Sequence, residues 1–290
     1  MEIDMDVVWL GQPDCHNSAL SGGKAANLSR FAASYPVPPG FCLTTAVFDR
    51  WAFKQNEAGL PPLVQRILAG ACNTLAEQCG TAAPGVAVRS SAVDEDGQTA
   101  SFAGQYDTFL NIVGDEAISD AVASCWASAR SPRVEAYRHR QGLPTHNVRL
   151  AVLVQQLVAA DISAVAFSVN PVTGNSGEII INASWGLGES IVSGTVTPDT
   201  YMVRKSDLSM IKRQIARKRR MTVLAPNGTR EVAVPGVLSD QPVINNTQTI
   251  EIARLVLALE SETGWPADIE CAFKGETLYL LQCRPITTIA

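Results

Sequence analysis

Apolar and polar positions divide the chain into short strands and amphipathic helices. Residues 7–10, 41–44, 84–89 and 108–113 read as strands, while 25–33, most of 44–80 and 115–142 read as helices, the second interrupted around 59–62. The polar stretch 90–104 between two of those strands reads as a loop. The β-branched run 150–158 predicts a central strand. A second glycine-rich region covers 170–189, short strands and turns continue to about residue 245, and 247–264 predicts an amphipathic helix ahead of a terminal hairpin. The pattern suggests two lobes, 1–162 and 163–290.

That hairpin carries the most informative residues. A strand alternates faces, so Asp268 and Glu270 share a side, as do Gln282 and Arg284. A three-residue loop, Lys274-Gly275-Glu276, would set Asp268 opposite Gln282 and Glu270 opposite Leu280, with all four polar groups on one face; a two-residue loop would split them. The longer loop is expected, with Gly275 in the left-handed backbone region. The neighbouring residues Ile269, Cys271, Phe273, Leu278 and Leu280 are apolar, and carboxylates buried among them need a cation or a donor.

At 290 residues and 46% hydrophobic content, the chain can fill a substantial core. A net charge of −5 argues against a nucleic-acid or membrane footprint over the whole protein. The acidic start Met-Glu-Ile-Asp does not resemble a secretory signal and no apolar run reaches spanning length, so a cytoplasmic address is expected. Seven cysteines without a C-x-x-C pair read as buried free thiols, and the three histidines, His16, His139 and His146, stand at no familiar metal spacing. The basic cluster Lys212-Arg213 and Arg217-Lys218-Arg219-Arg220 reads as a solvated hairpin.

Three further segments suit anionic oxygens. Gly22-Gly23-Lys24 at a helix start combines backbone donors, a helix dipole and an ammonium, although it lacks the Walker spacing. Arg89 closes an apolar strand, and a guanidinium there suits bidentate phosphate contact. Ser101-Phe-Ala-Gly104-Gln-Tyr-Asp-Thr108 pairs glycine amides with a hydroxyl, as a phosphate-covering loop would. Cations and metal-capable carboxylates together make an inventory for phosphoryl transfer.

Six ordered segments, Ser21–Leu28, Val37–Phe41, Val86–Ala92, Ser101–Thr108, Asn182–Glu189 and Leu281–Thr287, carry a family resemblance along nearly the whole chain. The sequence resembles the N-terminal ATP-binding domain of phosphoenolpyruvate synthase, pyruvate phosphate dikinase and rifampin phosphotransferase. The resemblance implies an α+β ATP-grasp fold, two lobes clasping ATP between them. It also implies that Lys24 and Arg89 hold the triphosphate, that Gly104 and Thr108 belong to the covering loop, and that Gln155 lies near the adenine. Glu270 and Gln282 would ligate Mg2+ with Asp268 beside them, and Arg284 would contact the β- and γ-phosphates. Lys24, Arg89 and Arg284 would be the catalytic cations.

The family's enzymes pass phosphate to a histidine on a swivelling domain and then to a small-molecule acceptor. No histidine here matches the phosphocarrier motif, so the resemblance implies a phosphocarrier-histidine domain or subunit acting in trans. The region 50–85 is shorter than the family's. Two other readings follow from the same residues: a standalone kinase or ligase acting directly on a small molecule, and a non-catalytic ATP-binding subunit docking through the 212–220 cluster.

Overall fold

The computed structural model describes residues 5–52, 59–96, 107–140, 142 and 148–287. The chain divides into two compact units, Met1–Leu157 and Val158–Ala290, ahead of the boundary expected at 162. Asp161 already belongs to the second unit, its N–H donating to the Phe273 carbonyl at 3.0 Å.

In chain order the first unit contains β1 (Val7–Trp9), α1 (Ser18–Phe31), β2 (Gly40–Leu43), α2 (Thr45–Trp51), α3 (Pro62–Cys79), β3 (Val86–Ala92), β4 (Thr108–Ile112), α4 (Asp115–Ser128), α5 (Pro132–Arg140) and β5 (Leu150–Gln156). Its five strands lie in the order β1-β2-β5-β3-β4, so the run read as a central strand is central. Phe41, Leu43, Val86, Val88, Val152 and Val154 point to one face of this sheet and join the main apolar cluster with Val64, Leu68 and Leu75 of α3 and Ile118, Val122 and Trp126 of α4. Each such side chain contributes about 1.5–3 kcal/mol when fully buried. The other face carries Cys42, Arg89, Ser91, Leu153 and Gln155, and α1 lies against it.

Two expectations change here. Ser90 and Ser91 are strand residues, because β3 runs on to Ala92 with Ser90 opposite Val152 and Ser91 opposite Ala151. The helix expected over 115–142 is two helices, since proline at 132 disfavours helical backbone in the residue before it.

The second unit contains β6 (Ile162–Phe167), β7 (Glu178–Trp185), α6 (Glu189–Val192), β8 (Asp199–Arg204), β9 (Met210–Gln214), β10 (Arg220–Leu224), β11 (Thr229–Ala233), α7 (Gly236–Ser239), α8 (Asn246–Thr263), β12 (Ala267–Lys274) and β13 (Thr277–Pro285). Six strands lie in the order β13-β12-β6-β7-β8-β9, and β10 pairs with β11 separately. Asn245 caps α8 by accepting the Gln248 N–H at 2.9 Å, while Gln248 accepts the Asn245 N–H in return. Helix α8 buries Ile252, Val256 and Leu259 and packs on β6, β7 and β12. Both units combine helices with antiparallel sheets, as the expected α+β class requires.

The basic cluster is not uniformly solvated. Lys218 is fully buried, its Nζ 2.6 Å from Asp199 Oδ1. Asp199 also accepts the N–H groups of Ala216 at 2.9 Å and Val243 at 2.8 Å and the Tyr201 hydroxyl at 3.2 Å, so its charge is fully partnered. Lys212 and Arg213 lie exposed on edge strand β9, and Arg220 pairs with Glu231 across β10 and β11 at 2.8 Å. All seven cysteines are free thiols, and only Cys79 is not buried. No described helix is long and apolar enough to cross a membrane.

Candidate functional site

The terminal hairpin brings its four polar groups to one face by a different route from the expected one. Lys274 pairs with Thr277, so the loop is the two residues Gly275-Glu276, with Gly275 at φ 58°. Such a loop alone would put Glu270 opposite Leu281 and Asp268 opposite Cys283, sending Gln282 and Arg284 to the α8 face. A β-bulge restores the arrangement: Cys271 pairs with Leu280, Leu281 is the extra residue, and Glu270 then faces Gln282 while Asp268 faces Arg284. Asp161 supports the turn, accepting the Gly275 N–H and the Lys274 ammonium, both at 3.0 Å. Those donors hold its carboxyl below the ordinary value.

Arg284 donates from Nε to Asp268 Oδ2 at 2.8 Å, and its Nη2 pairs with the same oxygen at 2.7 Å. Asp268 and Gln282 are buried, and Glu270 is half-buried. Burial pushes the Asp268 carboxyl up; the guanidinium pulls it down without cancelling the rise, and neighbouring Glu270 adds to it. Two carboxylates and an amide on one face form an oxygen donor set for a hard cation. They fit magnesium, which takes one or two carboxylates and fills its shell with water and phosphate oxygens. No group of three His, Cys, Asp or Glu side chains poised for a metal occurs among the described residues, so phosphate or water would have to complete the shell.

Cross-strand register extends this face across the sheet. Glu270 lies opposite Val165, Val165 opposite Asn182, and Asn182 opposite Thr200, whose hydroxyl donates to Asn182 Oδ1 at 2.9 Å. A second row runs Asp268, Phe167, Ile180, Met202. Val165, Phe167, Asn182 and Thr200 are half-buried, whereas Ala164, Ala166, Ala183 and Tyr201 on the α8 face are buried. The alternation of β7 could have identified Asn182 as a site-face residue from the sequence; it was legible only as part of a motif.

In the first unit, α1 breaks at Gly22, which takes φ 76° and restarts the helix at Gly23-Lys24. Space dictates both glycines. A Cβ on Gly22 would sit 2.0 Å from the Ser91 carbonyl oxygen, and one on Gly23 would sit 1.7 Å from that of Glu95. This close approach seats Lys24, whose Nζ is 2.9 Å from Glu95 Oε1 and 3.4 Å from the Ser90 carbonyl. Of the helix-start donors, the Ala25 N–H already donates to Ser91 Oγ at 3.1 Å.

Arg89 lies within β3 and does not close it; its Cα partners are Thr108 on β4 and Leu153 on β5. The structure sets the exposed Thr108 beside Arg89 in the sheet, and Arg89 close enough to Lys24 to oppose its charge. Lys24 and Arg89 are both only 9% exposed. Gln155 points to the same sheet face as Arg89, is buried, and donates from Nε2 to the Pro38 carbonyl at 3.1 Å. Gly104, with the rest of 97–106, lies outside the described residues, as does His146.

Sequence reasoning missed Glu95. Its Oε1 pairs with Lys24 and its Oε2 accepts the Ala92 N–H at 3.1 Å, with the side chain buried. Burial alone would lower the Lys24 pKa, but Glu95 and Asp96 outweigh it and hold the ammonium above its ordinary value, against a smaller opposing effect of Arg89. The available signal was a carboxylate shortly after Arg89, in a stretch read as solvated loop.

Residues 52–290 match the family described as pyruvate phosphate dikinase, AMP/ATP-binding domain. The chain is 37% identical to a probable phosphoenolpyruvate synthase of Methanocaldococcus jannaschii over 320 residues, covering 98% of this chain and 27% of that protein. It is 33% identical to the phosphoenolpyruvate synthase of Pyrococcus furiosus, covering 98% and 44%, and 35% identical to a rifampicin phosphotransferase of Streptomyces sviceus, covering 98% and 36%. The chain thus spans less than half the length of these relatives. The alignment to the Pyrococcus protein runs over 357 residues against a chain of 290, so that relative carries insertions with respect to it.

Proposed function

The chain belongs to the pyruvate phosphate dikinase AMP/ATP-binding family, and from that premise we propose that it binds magnesium ATP, cleaves it to AMP and phosphate, and delivers a phosphoryl group to a histidine on a separate domain or subunit. The observation that carries this reading is the hairpin register, which sets Asp268, Glu270, Gln282 and Arg284 on one face. Glu270 and Gln282 hold the metal, with Asp268 beside them. A bound magnesium supplies charge neutralisation at phosphate oxygens.

The chain's own residues position and neutralise. Arg284, oriented by Asp268, presents a guanidinium to the β- and γ-phosphates. Lys24 and Arg89 hold the triphosphate, and the Thr108 hydroxyl, beside Arg89 in the sheet, supplies a further donor. Phosphoryl transfer needs little more from a protein than placement and electrostatic stabilisation. Gln155 contributes near the adenine, its amide fixed by the Pro38 carbonyl. The final acceptor is a small molecule chosen outside this chain.

The test is to incubate the chain with magnesium and γ-labelled ATP and follow AMP, ADP, phosphate and protein-bound label, with and without a histidine-bearing partner protein. AMP that accumulates only with the partner supports the proposal. ADP formed by the chain alone on adding a small acceptor would make it a self-sufficient kinase or ligase. Tight ATP binding without turnover in any mixture would leave it a binding subunit. Turnover that survives both Glu270→Ala and Arg284→Ala would remove the site assignment.

A further inference from the structure

We propose that Glu95 is a positioning residue for ATP binding, holding the Lys24 side chain in one extended, charged arrangement beside Arg89; this rests on the reading that Lys24 holds the triphosphate. The geometry carries the inference. Glu95 is fixed at both carboxylate oxygens, Oε1 by Lys24 at 2.9 Å and Oε2 by the Ala92 N–H at 3.1 Å. Its backbone is held against Gly23, where any side chain would collide with the Glu95 carbonyl, and the next residue is tied back to α1 by Asn27 Nδ2 donating to the Asp96 carbonyl at 3.2 Å. Two stretches far apart in sequence thus lock together around one ammonium.

A buried lysine beside a buried arginine needs such a partner. Lys24 is faced by Glu95 and Asp96 from the segment after β3, by Arg89 from β3, and by the Cys125 thiol from α4. Without the Glu95 charge, burial and Arg89 both act against the ammonium, and among the described residues Asp96 and the Ser90 carbonyl are left to support it. The flexible four-carbon stem would then be free to leave its seat or lose its proton. With Glu95 present the cation is pre-placed, and ATP binding does not have to order it.

The experiment is a double-mutant cycle on the full chain, using Glu95→Gln, Lys24→Met and the double variant, with Mg-ATP affinity measured by calorimetry at pH 7.5 and 9.5 and folding checked by thermal melting. Glu95→Gln is expected to bind about tenfold more weakly, the scale of one charge-assisted hydrogen bond, and to weaken further at the higher pH. The double variant is expected to bind no more weakly than Lys24→Met alone, because Glu95 acts through Lys24. A purely structural carboxylate would lower the melting temperature without that coupling.

Glu95→Gln binding as well as or better than wild type, while Lys24→Met binds poorly, would overturn the inference and make Glu95 a competitor of phosphate or a bystander. Lys24→Met binding normally would sink the underlying reading of Lys24 and the inference with it. Should Glu95→Gln fail to fold, Glu95→Asp keeps the charge but withdraws it by one methylene, and the same coupled loss is expected.

Discussion

Arg284 and Asp268 face each other across the β12–β13 ladder, joined at a single carboxylate oxygen by a hydrogen bond from Nε at 2.8 Å and an ion-pair contact from Nη2 at 2.7 Å. A forked donor is what makes that grip possible, and a lysine ammonium cannot reproduce it. Arg284→Lys should therefore lower Mg-ATP affinity by about tenfold, comparable to losing one charge-assisted hydrogen bond, and Arg284→Ala by more. Calorimetric titration with Mg-ATP checks both, and a lysine variant that binds like wild type would show that only the charge matters.

Lys218 and Asp199 form an ion pair with no exposure at either side chain. Removing one member leaves the other buried and uncompensated, so Lys218→Met should destabilise the protein by about 3–5 kcal/mol. Urea unfolding reads this directly. ATP binding per folded molecule should be unchanged, because neither residue lies on the hairpin face.

The Lys24–Glu95 pair has an alkaline signature. Lys24 is held above its ordinary value of 10.5 in the folded chain, so its contribution to stability is fully present below about that pH and is lost as pH rises through the folded value. Unfolding midpoints between pH 9 and 11.5 should fall more steeply for wild type than for the Lys24→Met/Glu95→Gln variant. The difference between the two isolates this pair from Tyr201, whose own pKa is pushed up to about 12, chiefly by burial. Parallel curves would mean that the pair does not couple to folding.

Burial pushes the Cys72, Cys125 and Cys271 thiols up to about 12, and only Cys79 is half-exposed. A thiol reagent at pH 8 should label about one cysteine per native chain and all seven after unfolding, since the thiolate is the reacting form. Rapid labelling of several thiols in the native protein would show that the core opens.

Much of the strand framework was legible because β5 and the hairpin carry long apolar or alternating runs. Ser90 and Ser91 were not, since two serines look like a loop unless the pairing with β5 is known. The hairpin face was reached through an incorrect loop length. Alternation could show that Asp268 goes with Glu270 and Gln282 with Arg284, but whether the two pairs meet depends on the turn, and a bulge at Leu281 leaves no local signature distinct from a longer turn. Lys218 and Glu95 were missed for a shared reason: each sits in a charged stretch, and only a distant partner, Asp199 or Lys24, shows that it is buried.

The pairing of β12 with β6 also sets an order of events during synthesis. Strand β6 is made about a hundred residues before the strand that flanks it, and until residues 267–274 leave the ribosome it presents an open edge. The face that carries Asp268, Glu270, Gln282 and Arg284 is complete only when β13 pairs with β12. A premature stop before the last hairpin would remove that face and leave the β6 edge unpaired together, so the loss of the site and a tendency to edge-to-edge association come as one.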